Sequence, residues 1–266
     1  MALDRTMLSP RQRYLPGILG GLGPLAHVEF ERTVLARSHA RGARGDQDHP
    51  VWLLASASST PGRTRALLAG GESPAAHLLH YARLLEAAGA DALFVACNTA
   101  HAFFDEVQRG LGIPWVHLMD LTAGAVRASH PAGTRIGVLA TDGTLRAGLY
   151  RRALEGRGLV PVAPEPDGPV QAEVRAATED PVYGIKATGA EVSPEARARL
   201  AAAARWCVEH GARAVILGCT EVSVGLTARD FTAAPLVDPM VLAADALLDL
   251  AAGVREPAAL YRRAPG

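Results

Sequence analysis

The chain has 266 residues, is 49% hydrophobic, and carries 27 basic against 27 acidic side chains. That length and apolar content allow one large or two modest α/β domains with true cores and exclude a disordered chain. Balanced charge gives no basic field for nucleic acid or an anionic membrane, and no apolar run reaches bilayer length, so the expected partner is a small molecule.

The N-terminal MALDRTMLSPRQRYLP lacks the apolar core of a signal peptide. A cytoplasmic protein is expected, with residues 1 to about 14 as a loose extension. Short β-rich runs then recur before glycine or proline: PGILGG, VWLLAS, DALFVA, PWVHLM, TRIGVLA, AVILG and APLVD. Alanine-rich stretches between them, SPAAHLLHYARLLEAAG and SPEARARLAAAARWCVEHG, have helical period, open on serine-proline and end at glycine. Strands alternating with such helices predict parallel sheets in an α/β architecture, doubly wound by default.

The chain is also written twice. GILGGLGP from Gly17 aligns with GVLATDGT from Gly137; Cys97 lies 80 residues beyond the first and Cys219 82 beyond the second. Each cysteine ends a strand that follows a helix closing in AGA or HGA, and each is followed, 17 and 16 residues later, by a strand-opening proline, Pro114 and Pro235. The repeat predicts two pseudo-symmetric flavodoxin-like parallel-sheet domains, 15–118 plus 236–262 and 119–235, with the active site in the cleft between them.

In a parallel sheet ligands gather at the carboxyl ends of strands, where both cysteines stand. A single thiol there is as readily a small core residue as a reagent; two at matched spacing point to chemistry. Cys207, mid-helix beside Trp206, is read as core. The three cysteines are too scattered for a disulfide framework or a paired zinc site, and no histidine pattern suggests a metal.

Each thiol should stand where a strand gives way to a helix start, a position that lowers its pKa. One thiolate can take a proton from a carbon acid while the other, still a thiol, delivers one to the opposite face, inverting the carbon. The charge that grows beside the carboxylate needs oriented donors. Backbone N–H groups at Gly20, Gly21 and Gly23 and the hydroxyls of Thr99, Thr141, Thr144 and Thr220 are the candidates, with Asn98 beside them. His101 and Glu221, four and two residues past the thiols, can tune them or serve as capping groups, and Asp238 is similarly open.

GILGGLGPLA, ACNTAH, LATDGT and LGCTE closely resemble the signature segments of the aspartate/glutamate racemase superfamily, over residues 15 to 250. The joint presence of CNTAH and GCTE in the matching halves is the specific part; a glycine turn alone is weak. The resemblance implies a cofactor-independent amino-acid racemase, without pyridoxal phosphate or metal, often dimeric, with Cys97 and Cys219 as acid/base residues on opposite faces of the substrate α-carbon. It also implies that Arg63, in STPGRTRAL, and Lys186, in YGIKATG, grip the distal carboxylate of an acidic substrate such as aspartate or glutamate. Lys186 stands out on its own account as the only lysine among 27 basic residues, though a solvated surface lysine is the plain alternative. Ala57-Ser58-Ser59 replaces the paired asparagines common in aspartate racemases, and Gly62 replaces an aspartate, so the chemistry is better supported than aspartate as its substrate.

The alternatives are a noncatalytic amino-acid-binding protein of the same fold and a superfamily isomerase or decarboxylase. The second tends to depend on one cysteine, and binding alone requires neither. A thiol-disulfide oxidoreductase would place its cysteines close together.

Overall fold

The computed structural model describes residues 2–261. It contains two compact units, one comprising the residues up to Ala66, Gly70–Leu118 and those from Met240 on, the other Leu67–Ala69 and Met119–Pro239.

The first unit is built on a three-stranded parallel sheet of order β2-β1-β3, from β1 (Pro16–Gly20), β2 (Leu53–Ser56) and β3 (Ala92–Val95). Helices α1 (Pro24–Ala40), α2 (Arg63–Leu68), α3 (Ala75–Ala87) and α4 (Phe104–Gln108) connect or follow these strands. β1 and β3 are buried throughout, as strands covered on both faces must be, whereas the edge strand β2 alternates between half-buried and exposed. Leu19, Leu78, Leu85, Leu93, Phe104 and Trp115 form the core beside them.

The expected strand PWVHLM is reduced to a single parallel bridge, Trp115 beside Leu93, because α5 (Leu118–Ser129) starts three residues later. The N-terminal extension is pinned rather than loose. Leu3 N–H donates to the Ala88 carbonyl at 2.8 Å, Arg5 forks onto both carboxylate oxygens of Asp91 at 2.6 and 3.0 Å, and Gln12 closes two bonds of 2.7 Å with the Val51 backbone. Side chains substitute here for the ladder that coil lacks, which composition alone does not reveal.

The second unit has a four-stranded parallel sheet of order β5-β4-β6-β7: β4 (Arg135–Ala140), β5 (Val160–Val162), β6 (Val215–Gly218) and β7 (Leu236–Val237). Its helices are α6 (Asp142–Arg146), α7 (Leu149–Glu155), α8 (Pro169–Glu179), α9 (Ile185–Thr188), α10 (Pro194–Glu209) and α11 (Thr220–Gly225), and α12 (Pro239–Ala251) leads back to the first unit. Strand β5 went unread in the sequence because Pro161 interrupts it; the structure places it at the sheet edge, where a missing N–H is tolerated.

The caps follow the sequence at α10, where Ser193 Oγ accepts from Ala196 N–H at 3.1 Å and Gly211 takes a φ of +86° past the end. A Cβ at Gly137 would stand 2.9 Å from Cys207 Cβ, so the glycine lets α10 lie directly on β4. Cys207 is fully buried in that contact, and burial pushes its thiol up to about 12. The chain returns later than residue 236, the expected start of the closing segment: Leu236–Val237 pairs with β6, and Val215 N–H donates to the Pro235 carbonyl at 2.9 Å. Residue 262, the expected limit of the first domain, lies outside the described residues.

Candidate active site

In the first unit β1 and β3 are neighbours, with Leu19 beside Val95, so the segments that leave their carboxyl ends emerge together. One carries Gly20-Gly21, the other Cys97-Asn98-Thr99, and the loop after β2 adds Thr60 to Arg63. Ala57 N–H donates to the Gly20 carbonyl at 2.9 Å, which draws that third loop against the first.

Gly21 has a φ of +80°, and a Cβ there would lie 2.4 Å from Ala57 N. Only glycine fits such a position. Its N–H, expected to be open to substrate, instead donates to His27 Nδ1 at 3.1 Å, because the imidazole in the first turn of α1 packs directly beneath Gly20.

Cys97 is 8% exposed and is followed by a 3-10 turn, Thr99–Phe103. His101, from that turn, lies buried behind it. His101 Nδ1 meets the Cys97 carbonyl at 2.9 Å, and Trp115 Nε1–H donates to His101 Nε2 at 3.1 Å. These bonds require the neutral tautomer with the proton on Nδ1. Burial, then the neighbouring His117, hold the imidazole's pKa down to about 3. His101 therefore supports the peptide of Cys97 and carries no charge at neutral pH.

Arg63 is half-buried and turned onto its own loop: Nη1 donates to the carbonyls of Thr60 and Pro61 at 3.3 Å, and Nη2 to that of Leu22. Its Nε and the Thr60 hydroxyl are buried without a hydrogen-bond partner, so the loop retains two unsatisfied polar groups.

In the second unit β4 and β6 are neighbours, with Ala140 beside Gly218, which brings Thr141 to Thr144 alongside Cys219-Thr220. Thr141 caps α6: its hydroxyl accepts from Thr144 N–H at 3.3 Å and donates to the Thr144 hydroxyl at 3.1 Å. Tyr150 packs against Gly218, the residue before Cys219, where a Cβ would stand 2.8 Å from its ring. Burial pushes that phenol's pKa well up, a Thr122 hydrogen bond partly offsets this, and the charges of Asp238 and Cys219 add to it.

Cys219 is 5% exposed and its Sγ donates to Glu221 Oε2 at 2.8 Å; the Thr220 hydroxyl also reaches that oxygen, at 3.4 Å. The helix start was expected to lower this thiol's pKa. It is instead raised well above the ordinary thiol value by burial, then by the charge of Glu221 and its hydrogen bond, with Lys186 and the Glu221 N–H offsetting part. A thiol that donates to a carboxylate keeps its proton.

Lys186, in α9, is within electrostatic reach of Cys219 and Glu221 but bonds Glu179 Oε1 at 2.6 Å. Burial lowers its pKa, and the Glu179 bond with the charges of Glu221, Glu179 and Cys219 outweighs this, so the ammonium stays charged. Asp238 takes a hydrogen bond of 3.0 Å from Ser223.

Each unit thus collects its own share of the expected residues: Gly21, Arg63, Cys97, Asn98 and Thr99 in one, Thr141, Thr144, Lys186, Cys219 and Thr220 in the other. Glu179 was missed. Seven residues before Lys186 and across the turn Asp180–Gly184, it has no helical i,i+4 relation to the lysine that a sequence pattern could expose. The sequence leaves Glu221 open between tuning its cysteine and capping a first helical turn, and the structure puts its carboxylate on Cys219 Sγ. Among the described residues no group of His, Cys, Asp or Glu could hold a metal ion, and no helix is long and apolar enough to cross a membrane.

Two parallel α/β sheets, each with a cysteine just past the carboxyl end of a strand, define the class of fold. The pattern of the Asp/Glu/hydantoin racemase family matches residues 19–247, and the chain belongs to that family. It is similar to the aspartate racemase of Picrophilus torridus, with a TM-score of 0.74 and 26% identity, covering 91% of this chain and 95% of that one. It is 31% identical over 143 residues to the broad specificity amino-acid racemase RacX of Bacillus subtilis, covering 53% of this chain and 61% of the relative. It is 34% identical over 133 residues to the glutamate racemase of Deinococcus radiodurans, covering 50% and 42%. The chain thus spans less than two thirds of the length of these last two.

Proposed function

We propose that the protein racemises an amino acid by proton transfer at two thiols, Cys97 and Cys219, acting on opposite faces of the substrate α-carbon. The observation that carries this reading is the matched placement of the two cysteines, each buried and each at the carboxyl end of a strand beside the first strand of its own sheet. Noncatalytic binding would require neither thiol.

Cys219 rests as the thiol, held so by burial and Glu221. It is proposed as the acid in one direction, with Cys97 as the base in that direction. Cys97 takes the α-proton; its sulfur lone pair becomes an S–H bond, and the C–H electrons pass into the carboxylate as an enediolate. Cys219 then gives its proton to the opposite face and is left as thiolate. The reverse reaction runs the same steps from that state. Donors from the loops after β3, β4 and β6, including Asn98, Thr99, Thr141, Thr144 and Thr220, are proposed to hold the carboxylate as charge grows on it. No cofactor enters the scheme. Assembly as a homodimer is proposed on family resemblance alone.

Support for an acidic substrate comes from the resemblance of Arg63 and Lys186 to the family's carboxylate-binding positions and from the names of two relatives. The Lys186–Glu179 bond argues the other way. The deciding experiment is incubation with L-amino acids in deuterium oxide, following the α-proton and the enantiomer together. Exchange accompanied by inversion is expected; binding without exchange of any amino acid would defeat the proposal.

A further inference from the structure

We propose that Thr60 is a further binding residue, one that joins Arg63 in holding the side-chain carboxylate of an acidic substrate. The proposal rests on the racemase reading above and adds to it a residue that the sequence motifs did not mark. Thr60 is 6% exposed, and its hydroxyl has no hydrogen-bond partner among the described residues. Its backbone is fixed. Thr60 N–H donates to the Ala57 carbonyl at 3.1 Å and Ala57 N–H to the Gly20 carbonyl at 2.9 Å, so this turn is fastened to the end of β1. Ala57, Leu22 and Cys97 belong to one core cluster, which places the turn at the same end of the sheet as the thiol. The neighbouring Ser59 hydroxyl already has a partner, the Tyr81 hydroxyl at 3.2 Å.

Arg63, three residues on, has the complementary shortage. Its half-buried guanidinium meets three carbonyls and, among the described residues, no carboxylate; its Nε is buried without a partner, and Gly62 beside it brings no side chain. A half-buried cation without a counter-ion and a buried hydroxyl without a partner each carry an uncompensated desolvation cost. A carboxylate compensates both, because it brings a negative charge and two oxygens that can accept from different donors. The Nη1 bonds to the Thr60 and Pro61 carbonyls, at 3.3 Å, lie at the long end of the N–H···O range, and a carboxylate offers shorter, charge-assisted ones, so the guanidinium gains by turning to it. One of those carbonyls belongs to Thr60, so guanidinium and hydroxyl are neighbours that a single carboxylate can engage. The α-carboxylate has its donors in the scheme above, which leaves this turn to the carboxylate of the side chain.

The test compares the full chain with Thr60→Val, which keeps the shape and removes the hydroxyl, and with Thr60→Ser, which keeps the hydroxyl. α-Proton exchange in deuterium oxide is followed on aspartate, glutamate and alanine, and the melting temperature is measured with and without aspartate or glutamate. Thr60→Val is expected to raise KM for the acidic substrate about tenfold, with a smaller effect on kcat and on any exchange of alanine. Its melting temperature without ligand should be no lower than that of the wild type, because the variant removes a buried hydroxyl that bonds nothing. Thr60→Ser should stay within about threefold of the wild-type KM. An unchanged KM in Thr60→Val, an equal loss on acidic and neutral substrates together with a lower melting temperature, or wild-type exchange confined to alanine each overturns the proposal and leaves the racemase reading intact. If no amino acid exchanges, the racemase reading fails and the melts decide Thr60 separately. Stabilisation by aspartate or glutamate that Thr60→Val loses upholds the carboxylate contact; stabilisation equal in both proteins, or absent from both, overturns it.

Discussion

The two cysteine turns occupy the same place in their sheets yet are held by opposite means. At Cys97 the surroundings grip the peptide: a neutral, buried His101 bridges the cysteine carbonyl and the indole of Trp115, and the thiol itself is left to its environment. At Cys219 they grip the sulfur, through Glu221 Oε2 at 2.8 Å. A repeated backbone thus delivers two thiols to equivalent positions, and unlike side chains hold them there.

The comparison breaks most severely if either sulfur is removed. Cys97→Ala and Cys219→Ala should each lower racemisation by about three orders of magnitude with an unchanged far-ultraviolet circular dichroism spectrum. Near wild-type inversion by either variant would show that the two sites are not partners.

Removing the support behind Cys97 should cost stability before chemistry. His101→Ala opens a cavity and leaves the Trp115 N–H and the Cys97 carbonyl without their partner, for an expected loss of about 2–4 kcal/mol in urea unfolding. The same residue predicts acid sensitivity. Its folded pKa of about 3 lies below the ordinary 6.5, so as pH falls through that window the unfolded chain binds a proton that the folded one refuses. Stability is complete above pH 6.5 and falls toward pH 3 by at most roughly 1.4 kcal/mol per pH unit. A wild type no less stable at pH 5 than at pH 7 would contradict the buried neutral imidazole.

The first turns of the two units invite a smaller test. After β1 the chain needs Gly21 at a φ of +80°, whereas after β4 Thr141 takes a φ of −65° and caps a helix. Gly21→Ala should destabilise by about 1–3 kcal/mol, more if Ala57 cannot yield. Thr141→Ala loses only a cap, about 1 kcal/mol. Thermal melts of the two variants should preserve that order.

The subtlest effect is on the Cys219 proton. Glu221→Gln removes a charge and an acceptor that hold the thiol protonated, so peptide-resolved alkylation of Cys219 should reach its midpoint at lower pH than in the wild type, with Cys97 as the internal reference. An unmoved midpoint would mean that burial alone sets the Cys219 pKa.

Much of this was written in the linear chain. Periodicity and caps gave the long helices α3 and α10, and the twofold recurrence of strand, glycine-alanine turn and cysteine located both thiols at strand ends. Such features are local, set by spacing along one strand or helix, so sequence alone determined them. Tertiary structure decided what each thiol and cation meets. Glu179 finds Lys186 across a turn with no fixed period, the Gly21 N–H is taken by a histidine six residues on, and Trp115 becomes the anchor of His101 where a strand was expected. Charge state and hydrogen-bond partnership depend on distances between side chains that the backbone brings together only after folding. The sequence could therefore mark where chemistry sits, while packing decided which carboxylates the Cys219 thiol and the lone lysine meet.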